Sequence, residues 1–213
     1  MDDRQIRVHA PQQARSRETE RAITDALASL LREKPFAEIG VAEIAERANV
    51  SIGGLYARFP SKEALLEMVE LGILEDFKAT ADRTLAADAF TGGEIADVTH
   101  AYARLLITHF RRHRAEILQI LRFTRPKSAT EDRLKAFNTY VHDHMRARLY
   151  DRREEIAGDD KMRSINLGLF FASALCREAV LTRNLEMYPV AVTDQDLIQE
   201  IGSAFARYLT AEK

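Results

Sequence analysis

The residues best suited to binding chemistry are concentrated between Val41 and Leu66, in the segment VAEIAERANVSIGGLYARFPSKEALL. Apolar residues recur at helical spacing up to Ala48, which predicts one short helix, and a second is predicted to begin after Ser51. Asn49 lies at the reversal between them, where asparagine tolerates a left-handed backbone. The Ser51 hydroxyl is suited to accept a hydrogen bond from an unpaired N–H of the second helix. This pattern predicts a helix-turn-helix, which presents a short helix to the major groove of DNA.

The second half of this segment, ANVSIGGLYARFPSKEALL, resembles the signature of TetR-type (TetR/AcrR) transcriptional regulators. The residues that carry the resemblance are Gly53, Leu55, Tyr56, Phe59, Ser61, Lys62, Glu63 and Leu65. The match is dense from about Ile23 to Leu66, whereas over 67–213 only length and an all-helical pattern agree. Two departures from the family are Asn49 in place of glycine and Arg58 in place of histidine. A third is the absence, at Ile39-Gly40-Val41, of the threonine that commonly caps the second helix.

The resemblance implies an all-α fold of about nine helices. Residues 1–60 would form an N-terminal arm and a three-helix DNA-binding domain. A long fourth helix would join it to a C-terminal effector-binding and dimerisation domain, residues 61–213. Helical spacing and breakers place later helices at 131–156, 161–185 and 193–209. No Pro or Gly divides residues 94–123, and the resemblance implies their division into helices at 94–112 and 114–123.

The second helix of the helix-turn-helix, which begins after Ser51, is the predicted recognition helix. This helix and the residues that flank it supply the predicted DNA contacts. The side chains at its exposed start are small, and this has two interpretations. In the first, the backbone approaches DNA closely and Ile52 contacts a thymine methyl. In the second, the glycines form a tight helix start and do not contact DNA. In the family the matching tyrosine binds phosphate, and Lys62 is expected at a phosphate in the first turn of the next helix. The predicted DNA-binding residues are Ser51, Ile52, Gly53, Gly54, Tyr56, Arg58, Lys62, Arg15 and Arg17.

The charge of the chain is unusual for a DNA-binding protein. The formal net charge is −2, and residues 1–62 hold ten Lys or Arg against nine Asp or Glu, a net of +1. Non-specific binding should therefore be modest, with affinity supplied by the doubled contacts of a dimer. Residues 1–16, interrupted by Pro11, are predicted to be a mobile arm ahead of a helix over Arg17–Arg32. The arm arginines either enter the adjacent minor groove or belong to a tail without a role.

The composition of the chain indicates the cellular compartment in which the protein is expected. The single cysteine, Cys176, excludes an intramolecular disulfide and fits a reducing compartment. The first residues lack the apolar core of a signal peptide, and no apolar stretch of about 18 residues was found that would span a membrane. We therefore expect a soluble, cytoplasmic protein without a membrane partner.

Aromatic and aliphatic residues on several C-terminal helices predict an effector pocket for a small, largely apolar molecule, which the resemblance also implies. The alternative is that these residues only fill the core. The candidates are Tyr102, Leu106, His109, Phe110, Leu121, Phe123, Phe137, Val141, His144, Phe170 and Phe171.

The segment LGLFFASAL is apolar on every side, so it must be buried on two faces. In the family this helix and the last one meet their twofold mates in a four-helix bundle, although burial within one subunit is a competing interpretation. The predicted interface residues are Leu167, Leu175, Leu197, Ile201, Phe205 and Tyr208.

Histidines raise the question of a metal site or an enzyme. His109 and His113 share a helix face, but His142 and His144 point to different sides of theirs, and neither cysteine nor a His-Glu-x-x-His pattern supports a zinc site. We therefore expect no metal and no cofactor. A helical enzyme with His109, His113 or His144 as general base is a remote alternative, because no nucleophile–base or paired-carboxylate arrangement accompanies it.

Together these observations predict a homodimeric, ligand-released repressor that binds a partly palindromic operator. The alternative of the same binding class is a ligand-independent architectural or nucleoid-associated protein with a protein partner. That protein would have a packed core without a cavity.

Overall fold

Helix formation is favoured throughout by the abundance of Ala, Leu, Arg and Glu and the scarcity of Gly and Pro. A computed structural model describes residues 6–86, 90, 93–123, 128–182 and 191–211. These residues form α-helices without a strand, which confirms the all-α prediction. The helices are α1 (Ile6–Glu33), α2 (Val41–Arg47), α3 (Ile52–Tyr56), α4 (Lys62–Thr84), α5 (Ile95–Arg112), α6 (Arg114–Phe123), α7 (Ser128–Tyr150), α8 (Lys161–Leu181) and α9 (Asp194–Thr210).

Side-chain caps fix several helix starts, among them the one that the sequence predicts at Ser51. Ser51 accepts a hydrogen bond from the Gly54 N–H at 3.0 Å, and Ser61 caps α4 through the Ala64 N–H at 3.1 Å. Thr193 forms a reciprocal capping box with Asp196 at the start of α9. By contrast, α2 begins after Gly40 without a side-chain cap, as the missing threonine predicts.

Several helix boundaries differ from the predictions: α7 begins at Ser128 instead of 131 and α8 ends at Leu181 instead of 185, and two differences are larger. The predicted mobile arm is wrong from Ile6 onward, because α1 begins there and continues through Pro11. Proline removes one backbone hydrogen bond near the start of this helix, which is not enough to end it. Helix α7 ends at Tyr150 rather than 156, with a 3-10 turn at Arg153–Glu155. Residues 183–185, the end of the predicted helix 161–185, lie outside the described residues.

The chain divides into two compact units. Unit 1 comprises Met1–Ile73 and Ala115–Arg125, and unit 2 comprises Leu74–Arg114 and Pro126–Lys213. The core of unit 1 takes apolar side chains from α1, α2, α3, the first turns of α4, and α6. Its fully buried members include Ile23, Leu27, Leu30, Ile44, Leu55 and Leu65, with Ile120 packed beside them.

Unit 2 is built from the end of α4 with α5, α7, α8 and α9. Tyr102 on α5 is buried, and its hydroxyl lies 2.7 Å from the Ser173 hydroxyl on α8. Gly168 allows α8 to approach α9 closely: a Cβ there would lie 2.1 Å from Cε2 of Phe205. Cys176 is fully buried on α8, and burial raises the pKa of its thiol to about 12.

Helix α8 corrects one statement drawn from the sequence. By length and composition it is apolar enough to cross a membrane, with a mean hydropathy of 1.3 over its most apolar window. Its buried residues pack against α5, α7 and α9, and 44% of that window is buried within the chain. Packing of this kind is characteristic of a core helix.

Candidate functional site

The turn between α2 and α3 fixes the position of the recognition helix. Asn49 has φ of 54°, the left-handed conformation expected at this reversal. Leu55 and Phe59 are buried in the core of unit 1. They leave Ile52 and Tyr56, which are 48% and 49% exposed, together on the outer face because they are four residues apart.

The two consecutive glycines of α3 have different surroundings. A Cβ on Gly54 would lie 3.1 Å from the Ser51 hydroxyl oxygen, which is the capping atom. A side chain at this position would therefore press on the helix cap. A Cβ on Gly53 would have only that oxygen within 4 Å, at 4.0 Å, so this backbone is open to an approaching ligand.

The two cations beside α3 are bonded to the protein's own backbone. Arg58 donates from Nη1 to the Gly54 carbonyl at 3.0 Å. Lys62 donates from Nζ to the carbonyls of Phe36 and Ile39, both at 2.9 Å, and lies 4.4 Å from the centre of the Phe36 ring. In this structure Lys62 thus joins α4 to the turn before α2.

The remaining predicted DNA contacts, Arg15 and Arg17, are exposed on α1. They belong to a regular helix instead of a flexible tail. Their side chains can reach DNA only in the direction that α1 gives them.

Helices α8 and α9 share an apolar groove in unit 2 with a volume of about 420 Å³. It is lined by Gly168, Phe171, Ala172, Ala174, Leu175, Ile201, Ala204, Phe205 and Tyr208. Phe170 is 61% exposed and Leu175 is 51% exposed. Of the predicted interface residues, Leu197, Ile201 and Phe205 are largely buried within the single chain. Leu175 and Tyr208 lie at the open side of the groove, and Leu167 is half-buried on α8 and does not line it.

The structure does not bring all the predicted effector residues together. Phe170 and Phe171 lie on the exposed face of α8, so neither points into the core. Leu121 is 64% exposed, and Phe123 packs on Phe36 with ring centres 5.3 Å apart. Leu121 and Phe123 belong to unit 1, whereas the other candidates belong to unit 2.

Within unit 2, Tyr102, Leu106 and Val141 are buried. His144 bonds the Tyr140 carbonyl of its own helix at 3.0 Å. Phe137 and His109 both pack on Phe77, with ring centres 5.2 and 4.4 Å away; Phe110 is half-buried beside His109.

A small cavity lies beside His109, between α4 and α5, with a volume of about 180 Å³. Its lining residues are Asp76, Thr80, Thr84, Arg104, Leu105, Thr108, His109 and Arg112, and they present more apolar than polar surface to the cavity. Burial and the neighbouring His113 lower the pKa of His109 to about 4, so the imidazole is neutral near pH 7. Burial acts to raise the pKa of the Asp76 carboxyl, but the His113 hydrogen bond and Arg112 outweigh it and leave the pKa lowered.

Sequence reasoning missed the α4 residues of this region, Asp76 and Phe77. The pattern gave α4 the role of a connector, and its contacts lie more than 30 residues away along the chain. The one available signal was the neighbouring pair Asp76 and Phe77, and an acidic residue beside an aromatic one is common in any amphipathic helix.

The geometry of unit 1 defines a class of protein. A capped, exposed short helix is held behind α2 by a left-handed asparagine and anchored by two buried side chains, as in helix-turn-helix DNA-binding proteins. The sequence model of bacterial regulatory proteins of the tetR family matches residues 23–69. This match covers the whole helix-turn-helix and the first turns of α4, and it identifies residues 23–69 as a DNA-binding domain of the tetR type.

Solved structures agree with this assignment at the level of the fold. The TetR-family regulator PfmR from Thermus thermophilus is 18% identical, with a TM-score of 0.63, and the match covers 90% of this chain and 99% of that one. A Rhodococcus sp. protein assigned to the same family is 17% identical, with a TM-score of 0.66 and coverage of 91% and 100%. A transcriptional regulator from Cytophaga hutchinsonii is 18% identical, with a TM-score of 0.65 and coverage of 89% and 97%. No match to a curated protein sequence was found.

Proposed function

We propose that this regulator is a cytoplasmic, homodimeric repressor that binds a partly palindromic operator and is released by a small effector. The observation that carries the proposal is the outer face of α3, where Ile52, Gly53 and Tyr56 are exposed while Leu55 is fully buried. This face offers an apolar contact, an open backbone and a phenolic hydroxyl to DNA.

The roles of the two exposed side chains differ. A Tyr56 hydroxyl on phosphate positions the protein without reading sequence, whereas Ile52 against a thymine methyl reads a base. Tyr56→Phe should therefore weaken binding to operator and scrambled DNA by a similar factor, about tenfold per subunit for the loss of one hydrogen bond to a charged group. Ile52→Ala should reduce the preference for the operator over scrambled DNA.

The test is fluorescence anisotropy with DNA from immediately upstream of the protein's own gene, at several salt concentrations. Met68→Ala, which removes an exposed apolar side chain of α4, is the matched control and should leave binding unchanged. If Tyr56→Phe and Ile52→Ala bind both DNAs as the unaltered protein does, α3 is not the recognition helix. DNA contacts by Arg15 and Arg17, by Ser51 and Gly54, and by any free donor of Arg58 and Lys62 are the further expectations that this assay tests.

A second copy of the chain is the proposed occupant of the α8–α9 groove. The exposed Phe170, Phe171 and Leu175 form a continuous apolar surface with the groove, and such surfaces on soluble proteins mark interaction sites. A twofold dimer would pair the same face of both copies and place two recognition helices about 34 Å apart, one DNA turn.

Sedimentation tests the dimer directly. Leu175→Arg would place an unpaired charge in the interface and should give a monomer with weakened operator binding. Met162→Arg puts the same residue at an exposed apolar position in the first turn of α8, outside the groove, and should remain dimeric. A dimeric Leu175→Arg protein would place the interface elsewhere.

The cavity beside His109 supports a site for a small effector. Most of its lining surface is apolar, and threonines and arginines supply a few polar groups, so we propose a small, largely apolar ligand that carries a few hydrogen-bonding groups. Release requires that the effector prefer the protein state with low DNA affinity, and the coupling is reciprocal. A compound that binds the protein but not Arg104→Gln or Thr108→Val, and that lowers operator affinity, would meet this requirement. Equal ligand affinity with and without operator would refute it.

A further inference from the structure

Three potential metal ligands converge inside unit 2. Asp76 lies on α4, His109 lies on α5, and His113 directly follows α5. The donor atoms that these side chains can offer all lie within 4.8 Å of one another. The spacing of His109 and His113 predicts a shared helix face, but Asp76 is 37 residues from His113 and no local pattern links it to them.

The backbone holds the two histidines one helical turn apart. The His113 N–H donates to the His109 carbonyl at 3.1 Å, so the helical spacing continues to His113. The two imidazole ring centres are 4.9 Å apart. The Phe77 ring packs on His109 with centres 4.4 Å apart, which restrains the plane of that imidazole.

The carboxylate completes the set from the neighbouring helix. Asp76 Oδ2 lies 3.1 Å from His113 Nε2, close to the separation of about 3.4 Å between two ligand atoms of one tetrahedral zinc ion. The other pairs need to close by at most about 1.4 Å, which small side-chain rotations provide.

We propose that Asp76, His109 and His113 bind a divalent first-row transition ion, with Zn²⁺ as the ion of choice. Two imidazoles and a carboxylate suit such ions and leave at least one coordination position open. Asp76 and His109 both line the small cavity beside α5, so the open position has room for water or a small donor ligand. The site would join α4 to α5 within unit 2.

One side chain competes with the metal. Arg112 Nη1 lies 3.5 Å from the same Asp76 oxygen, but its side chain is 65% exposed. The guanidinium can therefore turn into solvent when an ion binds. Arg112→Gln should tighten metal binding, because it removes a positive charge that must move aside and that repels the ion.

The proposal concerns ion binding and does not depend on any DNA function. Full-length protein without a histidine tag would be freed of metal with a chelator and titrated with Co²⁺, whose visible absorption reports its ligand geometry. Zn²⁺ competition and calorimetry would then give affinity and stoichiometry. We expect one ion per chain.

Each variant replaces a proposed metal ligand with a side chain of similar size that binds metal ions poorly. Asp76→Asn and His113→Gln should each weaken Zn²⁺ at least about tenfold, the smallest loss typical even for residues that only support a metal ligand. His142→Gln, on α7 outside the cluster, is the control and should bind normally. Circular dichroism would verify folding, and if one ligand variant does not fold, the other and Arg112→Gln still decide.

Either of two results would contradict the proposed metal site. If the unaltered protein gives no Co²⁺ absorption, or if Asp76→Asn and His113→Gln bind Zn²⁺ as tightly as it does, the three side chains form only a hydrogen-bonded cluster. The site would then be refuted.

Discussion

Replacing Lys62 by methionine tests whether this lysine acts within the protein. The change removes the ammonium and keeps most of the aliphatic stem. The ammonium makes two hydrogen bonds of 2.9 Å to backbone carbonyls and a cation–π contact with Phe36. Hydrogen bonds to a charged group contribute about 1.5–3 kcal/mol, and an exposed cation–π contact about 0.5–1 kcal/mol.

The lower end of these ranges applies. Lys62 is only half-buried, and the Phe36 carbonyl also accepts the Ile39 N–H at 3.2 Å, so that carbonyl keeps a partner. We expect the free energy of unfolding of unit 1 to fall by about 2 kcal/mol. Amide protection should fall most in the segment from Phe36 to α2.

Urea unfolding followed by far-UV circular dichroism, with hydrogen exchange resolved by peptide, would measure both effects. Lys78→Met is the control: Lys78 is exposed and its Nζ lies 4.5 Å from the centre of the Tyr140 ring, so it tests the loss of an exposed cation–π contact. We expect a change below about 1 kcal/mol for it.

A particular combination of results would refute this reasoning. It is an unfolding free energy changed by less than about 0.5 kcal/mol, together with weaker DNA binding and a salt dependence reduced by about one counterion per subunit. Lys62 would then act as a phosphate ligand, as its place in the family signature implies. The two carbonyl contacts would be incidental.

Further substitutions test the packing and the turn. Gly168→Ala should destabilise unit 2 by about 1–3 kcal/mol because its Cβ would overlap the Phe205 ring. Gly72→Ala, in an open helical position, should stabilise the protein by about 0.5–1 kcal/mol. Thermal melts compare the two variants, and equal effects would contradict the close approach of α8 to α9. Asn49→Ala should cost about 1 kcal/mol at its positive φ and Asn49→Gly almost nothing, so chemical denaturation must separate them. Ser51→Ala should cost about 1 kcal/mol through the lost cap, and its amide exchange should quicken first at residues 52–54.

Local signals in the sequence predicted local structure well. The caps at Ser51, Ser61 and Thr193 and the left-handed Asn49 depend on side chains bonding within three residues or on one residue's own backbone. Such features are encoded in a short window, so spacing alone locates them. The start of α1 was missed because Pro11 was taken as a break.

Contacts between distant segments were not predictable in the same way. The Lys62 carbonyl partners lie 26 and 23 residues earlier, and nothing in their side chains signals a backbone acceptor. Phe170 and Phe171 are apolar, and apolarity alone does not distinguish a core position from an exposed apolar groove. Which face of α8 is covered depends on α5, α7 and α9, and thus on the tertiary fold.

The buried thiol of Cys176 has a practical consequence for studies of motion. Thiol reagents react with the thiolate, and here both burial and a pKa of about 12 suppress it. Labelling must therefore wait for α8 to open, and its rate reports the population and speed of that opening. The only cysteine of the chain thus makes the unaltered protein its own probe of breathing motions in the helix that carries the apolar groove.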